Sequence, residues 1–413
     1  MNKNFDLLLK NYANLIVKKG LNIQKDGLLI INSPIKCDYF ARKVAEAAFK
    51  IGAKDVFINY SDEDFSKIRL QNASLETVSE IPDFEVEKYN YYISRGASVF
   101  AISASNPELL KDVDPKKISS SVQARSKALK EVYSDKLMSN ENAWCIVSIP
   151  TKEWAMKVFN DVSSKEAVEL LWNSIFDIMR LNSEDPIKSW DIHLNNIKKH
   201  LEFFNKNNFK YLKMKNSLGT DLKVELPLNH IWCGGSEFTK GGVEFIANMP
   251  TEEIFTTPKR DGVNGIVYAS KPLNYNGTLI NDFNITFKDG EIVNFDAKEG
   301  LEALRELINT DEGSKYLGEV ALVPYNSPIS NSNILFYNTL YDENASCHLA
   351  IGEAYPSCIK DGENLSKEEL LKIGSNVSLT HVDFMFGTSD LEIIGVTYDD
   401  TTIEIFKDGN YAF

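Results

Sequence analysis

The chain of 413 residues carries five histidines, and two of them stand among acids in patterns that suit metal chemistry. Thr380-His381-Val382-Asp383-Phe384-Met385-Phe386 reads as a strand, on which residues two apart face the same side. His381 and Asp383 therefore project together, either as ligands of one metal or as a hydrogen-bonded structural pair. In Asp342-Glu343-Asn344-Ala345-Ser346-Cys347-His348 two carboxylates precede a histidine within an otherwise apolar stretch. Met249-Pro250-Thr251-Glu252-Glu253-Ile254-Phe255 sets adjacent acids in a Pro-bounded apolar segment. Gly318-Glu319-Val320-Ala321-Leu322-Val323-Pro324 opens a buried-looking strand with a single acid. Together these segments offer several oxygens and two imidazole nitrogens, a mixed set typical of zinc, cobalt or manganese rather than calcium or an iron–sulfur cluster. Acids gathered at one buried point repel unless cations neutralise them, so the metal reading requires a fold that brings the segments together. His193, His200 and His230 lie in helical or loop surroundings where packing or solvation is sufficient explanation.

Other chemistries lack their signatures. There is no HExxH helix, no GxSxG elbow and no recognisable cysteine nucleophile motif. The five cysteines (Cys37, Cys145, Cys233, Cys347, Cys358) are scattered without a CxxC and read as reduced, buried thiols. With 45 basic and 59 acidic residues the formal net charge is -14, which repels polyphosphate backbones and argues against a nucleic-acid partner. No run approaches the roughly 20 apolar residues of a membrane span. The N-terminus mixes charge into its apolar residues, unlike a secretory signal. A cytoplasmic protein with no membrane partner is expected.

The elements that must position these residues fall into two halves. Phe5, Leu8, Tyr12, Leu15 and Ile16 have helical spacing, with Gly20 as a stop. Leu28–Ile31 reads as a strand. Asp38 is placed to cap a helix with Phe40, Val44, Ala47, Ala48 and Ile51 on one face, and residues 55–60 form a second strand. This is a βαβ unit with a parallel pair. Its turn, Asn32-Ser33-Pro34-Ile35-Lys36-Cys37, contains no glycine, so it is neither a dinucleotide fingerprint nor a P-loop. Strands at 98–103 and 144–148, with helical segments near 115–137, 152–160 and 164–181, complete an α/β N-terminal domain with an open, mostly parallel sheet. A helical stretch from Pro186 to about Asn207 leads into a hairpin over 209–226. Glycine turns follow at Gly234-Gly235, Gly241-Gly242, Asn276-Gly277, Asp289-Gly290 and Asp408-Gly409, with one clear helix near Leu301–Ile308. The expected division is 1–205 for the α/β domain and 206–413 for a β-rich α+β C-terminal metal-binding catalytic domain.

At these segments the sequence resembles the thermophilic metallo-aminopeptidase family (aminopeptidase T and aminopeptidase S). The resemblance rests on Asn248-Met249-Pro250-Thr251-Glu252-Glu253 with Phe255-Thr256-Thr257-Pro258, and on Gly318–Pro324. Leu340-Tyr341-Asp342-Glu343-Asn344-Ala345-Ser346-Cys347-His348-Leu349-Ala350-Ile351-Gly352 with Ala354-Tyr355 is the most specific block. His381-Val382-Asp383-Phe384-Met385 is the last. The Gly219-Thr220-Asp221-Leu222 turn and the opening βαβ extend it over nearly the whole chain. The resemblance implies a peptidase that removes N-terminal residues from peptides through two divalent ions in the C-terminal domain, with activation by cobalt, zinc or magnesium, and a homodimer; with the ligand types, the expected ions are Zn, Co, Mn or Mg. It implies Glu253, Glu319, His348, His381 and Asp383 as metal ligands, Glu343 as a further acid at or beside the centre, and Tyr355 as a tyrosine of the site. Peptide hydrolysis then needs a carboxylate spanning both metals, for which Glu319 is the expectation. It also needs a carboxylate to move the proton, Glu253 or Glu343, and a donor to the oxyanion, Tyr355. Two other readings stay open: another dinuclear hydrolase such as a phosphoesterase, and a non-catalytic peptide-binding protein whose acid–histidine cluster is structural.

Overall fold

The computed structural model describes residues 3–104, 109–110, 112–137, 139–275 and 278–413, so the expected turn at Asn276-Gly277 lies outside the described residues. By contacts the chain divides into two units, Met1–Ile192 with Ser236–Pro250 and His193–Gly235 with Thr251–Phe413. The division differs from a single cut after residue 205. It falls within the helix Pro186–Asn207, and residues 236–250 join the first unit. They do so because their backbone bonds are made there: Ile246 N donates to Gly20 O and Met249 N to Ile146 O.

The first unit is built on four parallel strands, β1 (Leu28–Pro34), β2 (Asp55–Ser61), β3 (Ser98–Ser103) and β4 (Trp144–Ser148), in the order β2-β1-β3-β4. Leu29, Ile30 and Ile31 are all buried, as a strand covered on both faces requires. Phe40, Ala41, Val44, Ala47 and Ala48 form the buried stripe of the helix Asp38–Lys50. Asp38 does not cap that helix. It sits inside the first turn, where a carboxylate suits the helix dipole, and pairs with Arg42 at 2.5 Å. Gly20 ends a wide turn, Ile16–Gly20, rather than the regular helix, which closes at Leu15. Between β2 and β3 run helices Glu63–Asn72, Leu75–Val78 and Asp83–Ile93 that apolar spacing does not announce, since the first buries only Leu70. The starts of the first two are marked instead by side-chain caps, Asp62 accepting Phe65 N and Ser74 accepting Thr77 N, while the third follows Pro82 with no side-chain cap.

The second unit contains a large antiparallel sheet and a smaller four-stranded one. The expected hairpin pairs Phe209–Lys215 with Asp221–Glu225 in the large sheet. Asp289-Gly290 and Asp408-Gly409 are tight hairpin turns with positive φ at both residues. The smaller sheet has the order β8-β7-β6-β5, all antiparallel: β5 (Ile254–Thr256), β6 (Leu317–Leu322), β7 (His348–Gly352) and β8 (His381–Met385). Leu301–Ile308 is helical as expected, but it is not the only helix here. Short helices at Pro328–Ser332, Thr339–Asp342 and Lys367–Lys372 hold too few turns to show a period. Val320, Leu322, Leu349, Ile351 and Phe384 send one face of the small sheet into a shared core with Phe209, Leu212 and Val224. The polar residues of interest occupy its other face.

Candidate metal centre

Register explains how segments far apart in sequence meet. Across three strands, Glu319 of β6, Ala350 of β7 and Asp383 of β8 stand opposite one another. His348 lies two residues before Ala350 on the same face, opposite Ala321, and His381 lies opposite Gly352. Three of the partners that face the polar side chains, Ala321, Ala350 and Gly352, are small and leave room between neighbouring carboxylates and imidazoles, while on the β8 side His348 stands opposite Met385. Glu253 immediately precedes β5, which pairs with β6. Two glycines are required by close approach. A Cβ at Gly318 would lie 2.1 Å from the Glu353 carbonyl oxygen, and one at Gly352, where φ is 110°, would lie 2.0 Å from that of Thr380.

The side chains form two groups that share one member. Glu253, Glu319 and His348 offer atoms within 4.8 Å of one another, and so do Glu319, His381 and Asp383. His348 Nε2 is 3.2 Å from Glu253 Oε2 and 3.5 Å from Glu319 Oε1. His381 Nε2 is 3.5 Å from Glu319 Oε2 and 3.4 Å from Asp383 Oδ1. The two oxygens of Glu319 therefore face different imidazoles. Each imidazole turns its other nitrogen to a backbone carbonyl, His348 Nδ1 to Ser346 O at 3.2 Å and His381 Nδ1 to Glu353 O at 2.7 Å. A carbonyl only accepts, so Nδ1 carries the proton and Nε2 turns a lone pair toward the acids, the tautomer a metal-binding histidine needs.

That lone pair facing carboxylates is unfavourable unless a positive charge lies between them. A proton supplies it in the chain alone. Burial opposes charge on His381, but Asp383 and Glu319 outweigh it and raise its pKa to about 9. Burial likewise opposes charge on His348, and Glu253 and Glu319 raise it well above the ordinary histidine value. Glu319 is raised by burial, while burial of Asp383 is outweighed by His381 and its pKa is lowered. With both imidazoles neutral, Glu253 Oε2 and Asp383 Oδ1 are buried with no hydrogen-bond donor among the described residues. Orphaned carboxylate oxygens beside imidazole lone pairs are a donor set that fits divalent cations.

Glu343 lies outside both groups. Burial and the negative charge of Glu253 and Asp383 push its pKa well above that of an ordinary glutamate. The Tyr355 ring packs against His381 at 4.8 Å and Phe255 at 5.9 Å, and partial burial with the charge of Glu319 and Asp383 keeps its phenol protonated far beyond the usual range. Of the paired acids, Asp342 turns away and accepts Phe336 N and Asn338 N at 2.8 and 2.9 Å, closing its own loop. Glu252 faces His193, 3.6 Å away, rather than the two groups. His200 packs on Tyr411 and His230 bonds Pro227 O.

Sequence reasoning missed the residues that set these positions. Asn344, fully buried, accepts Glu252 N at 2.7 Å and directs its Nδ2 to Glu343 Oε1 at 3.4 Å, tying the Glu253 segment to Glu343. Asp311 accepts Ser378 Oγ and Leu379 N, at 2.8 and 2.6 Å, just before β8. Asn376, 1% exposed, donates to Gly313 O and Gly352 O at 2.8 and 2.6 Å. The only sequence signal for the two asparagines is an amide among residues that otherwise read as buried.

Comparison with known proteins finds relatives along nearly the whole chain. A family model described as thermophilic metalloprotease (M29) matches residues 5–411. Aminopeptidase 2 of Geobacillus stearothermophilus is 46% identical over 405 residues, 98% of each chain. Aminopeptidase AmpS of Bacillus subtilis (strain 168) is 44% identical over 409 residues, 99% of each. Among solved structures, wild-type AmpT from Thermus thermophilus superposes with a TM-score of 0.92 at 35% identity, covering 99% of this chain and 100% of that one.

Proposed function

Because the chain belongs to the thermophilic metalloprotease (M29) family, we propose that it is an aminopeptidase that removes N-terminal residues from peptides at a dinuclear metal centre in its second unit. The observation that carries this reading is Glu319, whose two oxygens serve two ligand groups. Glu253 and His348 with Glu319 would hold one cation, and His381 and Asp383 with Glu319 the other. Four carboxylates, Glu253, Glu319, Glu343 and Asp383, converge at or beside the centre, and two divalent cations held there would balance their charge when all four are ionised. When bound, zinc, cobalt, manganese or magnesium supplies Lewis acidity toward water and the scissile carbonyl.

The remaining work falls to the chain's own groups. Glu343 stands outside both ligand sets with a raised pKa, the property of a carboxylate that takes a proton from attacking water and returns it to the leaving amine. Tyr355, protonated at any working pH, donates a hydrogen bond to the oxyanion. Exopeptidase selection needs a free α-amine, which an acid of this cluster reads. The homodimer that the resemblance implies and the cytosolic location expected from the sequence belong to the same proposal, and sedimentation equilibrium with cell fractionation tests them.

The deciding experiment strips the protein with a chelator and restores cobalt, zinc, manganese or magnesium singly. Hydrolysis of an aminoacyl-anilide should vanish and return, nitrophenyl phosphate should stay intact, and His348→Ala should be inactive yet folded. Phosphate release instead of anilide hydrolysis would favour the phosphoesterase, and full activity without metal would remove the centre from the mechanism.

A further inference from the structure

The first unit holds a cavity of about 370 Å³ that the peptidase chemistry does not use. All four parallel strands line it, and their order locates it. The chain leaves β1 for β2 on one side, then crosses back to β3 on the other, so the connections diverge between β1 and β3. Open parallel sheets bind ligands in the crevice left at that divergence, beyond the carboxyl ends of the strands. Asn32 and Ser33 at the end of β1 and Ser103 at the end of β3 line this cavity, which also extends along the sheet to Val99 and Trp144 near the starts of β3 and β4.

Its polar end is a fixed network on rigid strands. Asn32 and Asn59 stand opposite each other in register. Asn59 Nδ2 donates to Asn32 Oδ1 and Tyr89 Oη at 3.1 and 2.9 Å, Tyr89 OH donates to Asn32 Oδ1 at 2.8 Å, and Lys88 Nζ donates to Asn59 Oδ1 at 2.8 Å. Opposite charges join it in the lining: Glu63, and Arg125, whose Nη1 is 3.9 Å from Glu85 Oε2. Apart from Ser61 the rest is largely apolar, with Val99, Leu137, Trp144 and Ile146. A small cavity, mostly apolar with a few converging polar groups, is the usual form of a metabolite site.

We propose that this cavity binds a free α-amino acid with an apolar side chain. Its carboxylate pairs with Arg125, its ammonium with Glu63, and its side chain enters the Trp144 end. A nucleotide suits the wall poorly, because the turn after β1 has no glycine to let phosphate approach the backbone. Apolar amino acids are also products of the proposed peptidase. That physiological sense rests on the peptidase reading, but the site itself does not.

Isothermal titration of L-leucine into the full chain, with and without chelator, tests this. The expected result is one leucine per chain, unchanged by chelator and by Glu319→Gln, with L-glutamate and inorganic phosphate giving no saturable heat. Ala101→Phe, which fills the cavity from β3, should abolish binding, and Arg125→Gln should weaken it about tenfold, the loss of one charged contact. Absence of saturable leucine binding overturns the proposal. So does binding lost in Glu319→Gln but kept in both cavity variants, since the amino acid then sits at the metal centre. Because heat is read without catalysis, failure here is separable from failure of the peptidase reading.

Discussion

Replacing Asn376 by alanine tests whether the centre's geometry depends on one buried amide. Besides its bonds to Gly313 O and Gly352 O, its Oδ1 accepts Arg260 Nε at 3.0 Å. Gly352 ends β7 and stands opposite His381, so the amide fixes the junction of the two strands that carry the imidazoles. The substitution leaves two carbonyls and a guanidinium N–H without their partner, at roughly 1–3 kcal/mol for each buried group. Allowing for water entering the space, the second unit should lose about 4 kcal/mol. At roughly 2–4 °C per kcal/mol for a unit of about 200 residues, the melting temperature falls about 10 °C. Urea unfolding and calorimetry on chelator-treated protein measure this directly. Asn376→Asp should fare no better, because it keeps the acceptor for Arg260 but sets a carboxylate oxygen against two carbonyls. A loss below about 1 kcal/mol, or a wild-type Asn376→Asp, would refute the clamp.

Two further perturbations follow from charge. Metal uptake must displace the protons that the raised pKa values of His348 and His381 hold on Nε2. Titrations in buffers of different ionisation enthalpy should therefore show proton release at pH 7 and affinity falling as pH drops from about 9, whereas pH-independent affinity would contradict the raised imidazole pKa values. Asp390 accepts Ser217 N at 2.9 Å and Thr388 Oγ at 2.6 Å, and the Ser217 side chain, the Thr388 side chain and Ser217 N together lower its pKa to about 2. A depressed carboxylate stabilises the fold above its unfolded value near 3.8 and loses that contribution as pH falls through about 2. Asp390→Asn should be less stable than the parent above pH 4 by under about 1 kcal/mol, the scale of an exposed interaction, and equal to it near pH 2. A constant difference across that range would show that the charge is not responsible.

How far the sequence reveals the site follows from the period of each element. His381 and Asp383 are legible because strand alternation puts both on one face, and Glu319 because a single acid opens an apolar strand. Their convergence is not legible, since it depends on the pairing of Glu319 and Asp383 opposite Ala350, which no local pattern encodes. The small residues Ala321, Ala350 and Gly352 are a signal that alternation alone does not weigh. Asp342 and Glu343 look equivalent in sequence, yet one closes a loop and the other faces the acids. The helices between β2 and β3 escape the apolar pattern because they bury so little, while their Asp62 and Ser74 caps were there to be read. The cut within Pro186–Asn207 is hidden for the opposite reason, as an unbroken helix carries no boundary signal.

Anomalous diffraction from crystals soaked in zinc or cobalt bears most directly on the shared carboxylate. The account predicts two peaks about 3.5–4 Å apart, one among Glu253, Glu319 and His348, the other among Glu319, His381 and Asp383. A single peak at full occupancy in catalytically active crystals, or peaks away from Glu319, would contradict it.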